Sequence, residues 1–514
     1  MRQRMGIGLI CINRCGYTRL LSVALSEVAA CYRVVPLQTV SRWCLLLPLS
    51  GVSSGAVKHT TRMPGMTGKK RKKLVLINPV NNSRTGFSIN HSSRFPPLSL
   101  GVVAALTPSD WDVEVIDENF DEFSFRTADL VGITAFTSSA NRAYEIAAIY
   151  RGKNIPVVMG GIHASMCSQE ASQYVDAVVI GEVETVWEKL IADVLSGDLK
   201  PIYKGLWNGL QQLQQPRRDI YSKEYLFASV QTSRGCPMDC DFCSVSAFNG
   251  LRYRRRPPSD VLDELETITQ DLIFFVDDNI IGYGKRSRAS ALELFKGMVD
   301  RGINKHWFCQ ASINVADDEE ILHWAAKSGC RMIFLGIEAE DIEALSEVNK
   351  KLNIKRGGAD AYEQIFERIH QSGIAVLGAF IFGMDQDTPE KLMHRAQFML
   401  DSSVDVMQAT ALTPLPGTRL FAQLKEQGRL LYTNFPEDWD HYNLTEVVFR
   451  PKQMEPEEFS AVMRECLKKI YDPAVLKTKA RQTLKCTGRW DATEFAYQSN
   501  KNYRSIATAE STFS

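Results

Sequence analysis

Short apolar runs alternate with helical segments along most of the chain, and this alternation constrains the fold more than any other feature. Five such runs lie between about residues 70 and 205, at 74–77, 113–116, 130–133, 157–159 and 177–180, and each ends in a polar residue or a glycine. Segments that suit helices, such as 140–151, lie between them. Repeated strand, turn and helix units predict a doubly wound parallel sheet, whose ligands bind outside the carboxyl ends of the strands.

A second series of six runs lies between about residues 226 and 425. The runs are at 228–231, 273–276, 307–310, 332–335, 376–382 and 406–409. Six strand–helix repeats over about 200 residues predict a partial (β/α)6 barrel rather than a complete eight-stranded one. In such barrels the functional residues lie on the loops that follow the strands.

The length of 514 residues predicts two or three domains. We predict a first domain over 69–205, a linker over 206–226, the barrel over 227–425, and a mostly helical C-terminal region over 426–514 that caps the barrel and ends in a disordered tail of about 25 residues. The 60 Lys and Arg residues balance the 60 Asp and Glu residues, which argues against a protein that coats nucleic acid. No run of eighteen or more apolar residues occurs, so we expect no membrane span and a cytoplasmic protein.

The first 68 residues contain many Arg and Lys residues but only one acidic residue, Glu27. Three interpretations compete, namely a transit-type leader, a signal peptide, and an over-extended start with translation beginning at Met63 or Met66. A signal peptide fits poorly, because no charged region, apolar region and cleavage site follow one another. We favour the over-extended start and expect the segment to be poorly ordered.

Three cysteines lie within eight residues, directly after the first run of the second series. The motif reads RGCPMDCDFC and contains Cys236, Cys240 and Cys243. Iron–sulfur clusters are bound by cysteine thiolates, usually four. Three cysteines in a tight loop can bind three irons of a [4Fe–4S] cubane and leave the fourth iron open to a small molecule. A structural zinc site would need a fourth ligand at zinc-finger spacing, which is absent, and a redox C-x-x-C pair would leave Cys236 without a role.

The order of these features resembles that of radical S-adenosylmethionine (SAM) enzymes that carry a cobalamin (B12)-binding domain ahead of the barrel, in particular the class B radical SAM methyltransferases. The cysteine motif carries the resemblance, together with VGIT at 131–134, GGIH at 160–163 and GEVE at 181–184. It implies that SAM binds the open iron through its amino and carboxylate groups. It also implies that cobalamin binds the first domain, so the expected cofactors are a [4Fe–4S] cluster, SAM and cobalamin.

The resemblance further implies contacts to the two organic cofactors. For SAM these are Phe242, Asp277, Gln310, Ser312, Glu338 and Gly383. For cobalamin they are Thr134, Ser138, Gly160, Gly161, His163, Gly181 and Glu182. Structural alternatives stay open, because Phe242 can pack within its loop, Asp277 can cap a helix and Gly383 can mark tight packing.

The stretch after the second run departs from one pattern of cobalamin domains. Domains that supply a histidine to cobalt carry D-x-H-x-x-G at this point, and residues 117–122 contain no histidine. The lower axial ligand of cobalt is therefore left open. His163 is either a turn histidine bonded to the backbone, which we favour, or a ligand of cobalt.

The function implied by the resemblance is methylation of an unactivated carbon, through a 5′-deoxyadenosyl radical and methylcobalamin. Cyclisation, rearrangement or oxidation would use the same cofactors, and a non-catalytic corrinoid-binding protein is a further alternative that the intact cysteine motif disfavours. Methylthio transfer is excluded, because residues 70–205 contain only Cys167 and not a second set of three cysteines. The expected partners are a small-molecule substrate and an electron donor of flavodoxin or ferredoxin type. No catalytic side chain stands out.

Overall fold

Two six-stranded parallel sheets form the framework of the residues that the computed structural model describes, which are 71–81, 95–211 and 213–507. The chain divides between Gly68 and Lys69, and all described residues belong to the compact unit that starts at Lys69. The prediction for residues 1–68 therefore lies outside the described residues. None of the described helices is long and apolar enough to cross a membrane.

The first sheet has the strand order β2-β1-β3-β4-β5-β6. Its strands are β1 (Lys72–Asn78), β2 (Trp111–Asp117), β3 (Leu130–Thr134), β4 (Val157–Gly160), β5 (Ala177–Ile180) and β6 (Ile202–Lys204). All five predicted runs are strands. The sixth strand was not predicted, because it has only three residues and only Tyr203 among them is buried. The order reverses between β1 and β3, and this switch point opens a crevice at the carboxyl ends of the strands.

Helices cover both faces of the first sheet. They are α1 (Leu98–Leu106), α2 (Ala140–Arg151), α3 (Gly161–Met166), α4 (Ser168–Tyr174) and α5 (Trp187–Ser196). Along β1, Leu74 and Leu76 belong to one core with Trp187, whereas Val75 and Ile77 belong to the other. A strand that is buried on both faces is typical of a doubly wound sheet, as the apolar runs predicted.

The second sheet forms the predicted partial barrel. The strands after β6 are β7 (Phe227–Val230), β8 (Ser233–Arg234), β9 (Arg254–Arg255), β10 (Leu272–Phe275), β11 (His306–Ala311), β12 (Cys330–Glu338), β13 (Ala375–Phe382) and β14 (Val406–Ala411). Six of them pair in parallel in the order of the chain, from β7 and β10 through to β14. The short strands β8 and β9 pair antiparallel and flank the cysteine loop.

Eight helices follow or connect the barrel strands. They are α6 (Ser244–Asn249), α7 (Pro258–Thr267), α8 (Gly284–Asp300), α9 (Glu319–Lys327), α10 (Ile342–Glu347), α11 (Lys351–Arg356), α12 (Ala359–Gln371) and α13 (Pro389–Asp401). Alternate strand residues pack against different groups. On β11, Trp307 and Cys309 join the outer core under the helices, whereas Phe308 packs with Met332 and Leu377 in a separate cluster inside the barrel.

Helix α14 (Arg419–Glu426) follows the last barrel strand, and the C-terminal region beyond it is helical, as predicted, with α15 (Pro456–Ile470), α16 (Pro473–Thr487) and α17 (Trp490–Ala507). The expectation of a disordered tail is wrong for α17. Ala492 and Ala496 of this helix pack against the cluster inside the barrel, and Asn500 donates a hydrogen bond to the backbone oxygen of Asp405 (2.8 Å). A polar helix is thus ordered by tertiary contacts that its composition does not reveal.

Candidate cluster and cobalamin site

The cysteine loop lies between β8 and α6, at the carboxyl end of the first barrel strand. Cys240 is buried, Cys236 and Cys243 are half-buried, and all three are free thiols. The backbone N–H of Cys236 donates to the backbone oxygen of Gly250 (3.2 Å). Gly235 has a φ of +89°, and a Cβ atom there would overlap the backbone oxygen of Arg252. A glycine is therefore required immediately before the first cysteine.

Two remote segments hold the cysteine loop from outside. The guanidinium group of Arg419 donates to the carboxylates of Asp239 (2.7 Å) and Asp241 (2.8 Å), and Leu420 N–H donates to the backbone oxygen of Asp241 (3.1 Å). From the other side, the amide group of Asn349 donates to the backbone oxygen of Asp239 (2.5 Å). These residues were not predicted from the sequence, although Arg419 directly follows a TPLPGT turn after the last barrel strand.

An ion pair between the half-buried Lys350 and the buried Glu338 lies beside the cysteines. Lys350 Nζ is 2.5 Å from Oε1 of Glu338, the last residue of β12, which has a φ of +64°. Burial by itself would lower the pKa of Lys350, but the charges of Glu338 and Cys240 outweigh it and hold that pKa above its ordinary value. Burial also raises the pKa of Cys240 to about 11, against the opposing influence of Lys350. A fixed cation is thus placed where thiolates have to form.

These residues fit a cubane. Among the described residues, no three His, Cys, Asp or Glu side chains converge closely enough to bind a single metal ion. A [4Fe–4S] cluster does not need such convergence, because each cysteine binds a different iron. Three free thiols on one loop, next to the ammonium group of Lys350, are a suitable donor set for an anionic cluster.

The residues predicted to contact SAM have different surroundings. Gln310 is half-buried and, by alternation with Phe308, faces the inside of the barrel. Asp277 is fully buried and accepts hydrogen bonds from Thr232 N–H (3.1 Å), Thr232 Oγ1 (2.8 Å) and Ser233 Oγ, so it supports the segment before the cysteine loop.

Three further residues that were predicted to contact SAM also have contacts within the protein. Ser312 Oγ accepts a hydrogen bond from the amide group of Asn279 (2.8 Å). A Cβ atom at Gly383 would overlap the ring of Phe459, so this glycine permits tight packing. Phe242 packs against the core that both sheets share. All six contacts with SAM stay predictions.

Residues predicted to contact cobalamin meet at the carboxyl edge of the first sheet. Gly161 has a φ of +92°, and a Cβ atom there would lie 2.7 Å from Thr134 Oγ1. Ser165 Oγ of α3 accepts a hydrogen bond from Gly181 N–H (3.0 Å). The neighbouring Gly160 ends β4. Because the edge lacks side chains at these glycines, a bulky ligand can approach the backbone closely, which fits cobalamin.

The turn after β3 adds an aromatic ring that the sequence analysis missed. Ser138 lies in the single helical turn Thr137–Ser139 and is half-buried. Phe136, just before it, is 72% exposed although its neighbours are buried. An apolar ring at the switch point suits contact with a large macrocycle. The cobalamin contacts stay predictions.

The ring of His163 bonds to side chains and not to the backbone, so the favoured interpretation of a backbone-bonded turn histidine is wrong. Its side chain is completely buried, and Nε2 lies 3.1 Å from Tyr144 Oη and 3.3 Å from Glu170 Oε1. Trp439 Nε1 donates to both oxygens of Glu170 (3.0 Å each). Burial raises the pKa of Glu170, but His163, Trp439 and Tyr144 outweigh it and hold that pKa below its ordinary value. This network fastens the C-terminal region to the first domain.

Ion pairs join the first sheet to the cysteine loop. Arg234, two residues before Cys236, is 3.2 Å from the carboxylate of Glu182 and 2.6 Å from that of Glu184, both of which follow β5. Arg254 of β9 also binds Glu182 (2.5 Å). Glu182, a predicted cobalamin contact, is thus engaged by two arginines. The carboxyl edge of the first sheet therefore adjoins the cysteine loop.

Comparison with known proteins agrees with this arrangement. The model of the Radical SAM superfamily matches residues 230–399, and that of the B12 binding domain matches residues 88–191. Bacteriochlorophyllide d C-12(1)-methyltransferase of Chlorobaculum tepidum is 30% identical over 407 residues, which are 75% of this chain and 84% of that relative. The chain belongs to the B12-binding radical SAM methyltransferases. Its cofactors are a [4Fe–4S] cluster, SAM and cobalamin, as predicted.

Two further relatives show the range of this family. Hopanoid C-2 methylase of Rhodopseudomonas palustris is 28% identical over 400 residues, which are 74% of this chain and 72% of the methylase. Anaerobic magnesium-protoporphyrin IX monomethyl ester cyclase of Rubrivivax gelatinosus is 25% identical over 364 residues, which are 64% of this chain and 63% of the cyclase.

Solved structures share the fold. TsrM from Kitasatospora setae, a radical SAM methyltransferase solved with tryptophan and aza-SAM, has a TM-score of 0.61 and 18% identity, covering 85% of this chain and 98% of TsrM. OxsB, a cobalamin-dependent SAM radical enzyme solved with aqua-cobalamin and SAM, has a TM-score of 0.62 and 14% identity, covering 85% of this chain and 72% of OxsB. The predicted fold class, enzyme class and family are confirmed.

Proposed function

We propose that this radical SAM methyltransferase methylates an unactivated carbon of a small organic molecule. The contact of Arg234 with Glu182 and Glu184 carries the proposal. A radical centre and a methyl donor have to reach the same substrate, and this contact joins the loop of the cluster cysteines to the edge of the cobalamin domain. The relatives named for methylation of bacteriochlorophyllide d and of hopanoids support carbon as the acceptor.

The cysteine loop and the barrel rim would hold the two reactive cofactors. Cys236, Cys240 and Cys243 would bind the cluster, and Glu338 and Gln310 would contact SAM inside the barrel. The cofactors supply reductive cleavage of SAM, hydrogen-atom abstraction and a transferable methyl group, which no side chain provides. Lys350 contributes a fixed positive charge beside the thiolates, and Arg419 holds the loop in place.

The substrate would enter from the carboxyl end of the barrel. Aromatic side chains fill the amino end, where Phe95, Phe227, Phe274 and Phe308 pack with Phe495 of α17. Two half-buried polar side chains of β14, Gln408 and Thr410, lie next to this aromatic cluster. Gln408 accepts a hydrogen bond from Tyr503 (3.3 Å), and Thr410 donates one to the backbone oxygen of Phe380 (3.3 Å). Gln408 and Thr410 can orient polar groups of a substrate, while the phenylalanine side chains exclude water.

Anaerobic SAM cleavage by the reconstituted full chain tests the cluster site. We expect about four irons per chain and formation of 5′-deoxyadenosine with dithionite as reductant. Cys240→Ala should lose the iron and the activity, whereas Cys486→Ala, a matched variant on α16, should keep both. A complete cluster in the unaltered chain that yields no 5′-deoxyadenosine would show the proposal to be wrong.

A labelled methyl group distinguishes methylation from cyclisation. SAM with a deuterated methyl group is supplied together with cobalamin, and a bacteriochlorophyllide and a hopanoid are the first probes. We expect label to appear in cobalamin and then in a product one methyl group heavier than its substrate. A product without label would assign the chain to the cyclase reaction named for the Rubrivivax gelatinosus relative.

A further inference from the structure

Three segments form one surface next to the cysteine loop, and we name residues 204–208, 250–253 and 282–286 the loop-side surface. A Cβ atom at Gly250 would lie 3.0 Å from the ring of Trp207. A Cβ atom at Gly282 would lie 2.5 Å from the ring of Tyr253. Arg254 donates to the backbone oxygen of Asn208 (3.1 Å), which ties the first segment to the second.

The loop-side surface has an apolar centre. Leu206 is 63% exposed, Trp207 53%, Leu251 50% and Tyr283 53%. Single exposed apolar side chains are ordinary, but four of them on three touching segments make a patch of the kind found at protein interfaces. Exposed aromatic side chains are also enriched among residues that dominate binding.

The rim of the loop-side surface is positive. Lys204, Arg252, Lys285 and Arg286 are exposed, and none of the four forms an ion pair with another residue in the described parts of the chain. Residues 202–211, 249–256 and 279–286 contain no Asp or Glu. Because the whole chain has zero net charge, this is a local excess of positive charge that favours an acidic partner.

This surface lies one hydrogen bond from a cluster ligand. Gly250, which supports the ring of Trp207, accepts a hydrogen bond from the backbone N–H of Cys236 (3.2 Å). An electron delivered to the surface therefore has a short path to the cluster along the backbone. The contact between the surface and the cysteine loop is a hydrogen bond between backbone atoms and involves no side chain.

We propose that the loop-side surface docks an acidic one-electron donor protein of flavodoxin or ferredoxin type. The inference rests on the proposed function, because only a chain with a redox cluster needs such a donor. The donor loses one electron and the cluster gains it, with no bond made or broken. Transient redox complexes bury little surface, which suits a small apolar centre with a charged rim. A second copy of this chain is disfavoured, because a two-fold contact would place the positive rims against each other.

Charge reversal of the rim tests the proposal on the holoenzyme. The variant R252E/K285E/R286E is compared with K477E/R481E/K485E, which makes the same charge change on exposed residues of α16. Lys479 of that helix bonds to Ser402 ahead of β14, so the control lies at the opposite, amino end of the barrel. Reduction of the cluster is followed by stopped-flow absorbance with a reduced flavodoxin or with dithionite.

For the rim variant we expect the flavodoxin concentration at half-maximal rate to rise about tenfold or more at low ionic strength. The difference should shrink in about 1 M salt, where charges are screened beyond about 3 Å. Rates with dithionite should stay within about threefold of each other, since a small reductant needs no docking surface. Leu206→Asp should weaken the use of flavodoxin in high salt as well, because it alters the apolar centre.

Three outcomes would overturn the proposal. They are an unchanged flavodoxin dependence in the rim variant, an equal loss in the α16 control, and a dimer of the unaltered chain that the rim variant dissociates. Calorimetric measurement of the binding of oxidised flavodoxin tests the docking surface independently of the proposed function. A chain that binds flavodoxin but cleaves no SAM would count against the function alone, and a chain that cleaves SAM with dithionite but does not bind flavodoxin would count against the surface alone.

Discussion

The half-buried Lys350 and the buried Glu338 form an ion pair, with Nζ 2.5 Å from Oε1, directly beside the loop that contains Cys236, Cys240 and Cys243. The two residues are twelve positions apart in the sequence. They meet because β12 ends at Glu338 and the chain returns to the cysteine loop after α10. Asn349, next to Lys350, binds the backbone of Asp239 in the same loop. The pair thus connects the end of the fourth barrel strand to the cysteine loop.

Removal of the lysine charge should destabilise the chain. Lys350→Met leaves the buried carboxylate of Glu338 without a cation; breaking a fully buried pair costs about 3–5 kcal/mol, and the cost here should be smaller because Lys350 is only half-buried. We expect a lower urea midpoint, measured by circular dichroism on the apo chain. The double variant K350M/E338Q should recover a large part of the loss, because it also removes the buried carboxylate charge. Equal midpoints for the single and double variants would contradict this account.

Arg419 should matter for retention of the cluster more than for stability. Its side chain is half exposed, and exposed ion pairs contribute about 1 kcal/mol or less. Its bonds to Asp239 and Asp241 nevertheless restrict the cysteine loop. For Arg419→Gln we expect a urea midpoint near that of the unaltered chain and loss of iron to a chelator that is faster by about fivefold or more. Lys425→Gln on the same helix is the control, and equal iron loss in both variants would refute the role.

His163 should not coordinate cobalt. Its Nε2 contacts Tyr144 and Glu170, and its ring is completely buried between them and Trp439. The electron paramagnetic resonance spectrum of the cob(II)alamin form should therefore lack nitrogen coupling from the protein, and His163→Gln should leave it unchanged. The same variant should lower stability by about 1–3 kcal/mol, because Glu170 loses a buried donor. Nitrogen coupling that disappears in His163→Gln would establish ligation instead.

Lys479 should give the stability a distinct dependence on pH. The side chain is 2% exposed, its ammonium group donates to the backbone oxygen of Ser402 (2.6 Å), and burial lowers its pKa to about 8. Between pH 8 and the ordinary lysine value near 10.5, the unfolded chain binds more protons than the folded one, so the free energy of unfolding rises with pH. The rise is about 3 kcal/mol at most.

The contribution of Lys479 is isolated by comparison of variants. Other groups titrate in the same range, so the measured quantity is the difference in urea midpoint between the unaltered chain and Lys479→Met from pH 7.5 to 10.5. We expect this difference to change in favour of the unaltered chain as pH rises. Lys477→Met, at an exposed position two residues earlier, should show no such change. A pH-independent difference for Lys479→Met would show that burial does not lower the pKa of Lys479.

Most strands could be predicted from the sequence, and α17 could not. Every predicted apolar run is a strand. A strand that is buried on both faces consists of consecutive apolar residues, so its pattern can be recognised in a short stretch of sequence. The strand β6 has one buried residue and shows no such pattern. Helix α17 is polar by composition and is ordered because Ala492 and Ala496 close the amino end of the barrel. That contact joins parts of the chain that lie far apart in sequence.

The sequence by itself determined the fold class and singled out Cys236, Cys240 and Cys243 as the proposed ligands of the cluster, because strand periodicity and cysteine spacing are local properties. Only the tertiary structure decided the surroundings of the other site residues. Glu182 binds arginines 52 and 72 positions away, and Glu170 binds Trp439 across 269 positions. Charges and hydrogen-bond donors act through space, so the partner of a carboxylate depends on which elements pack beside it.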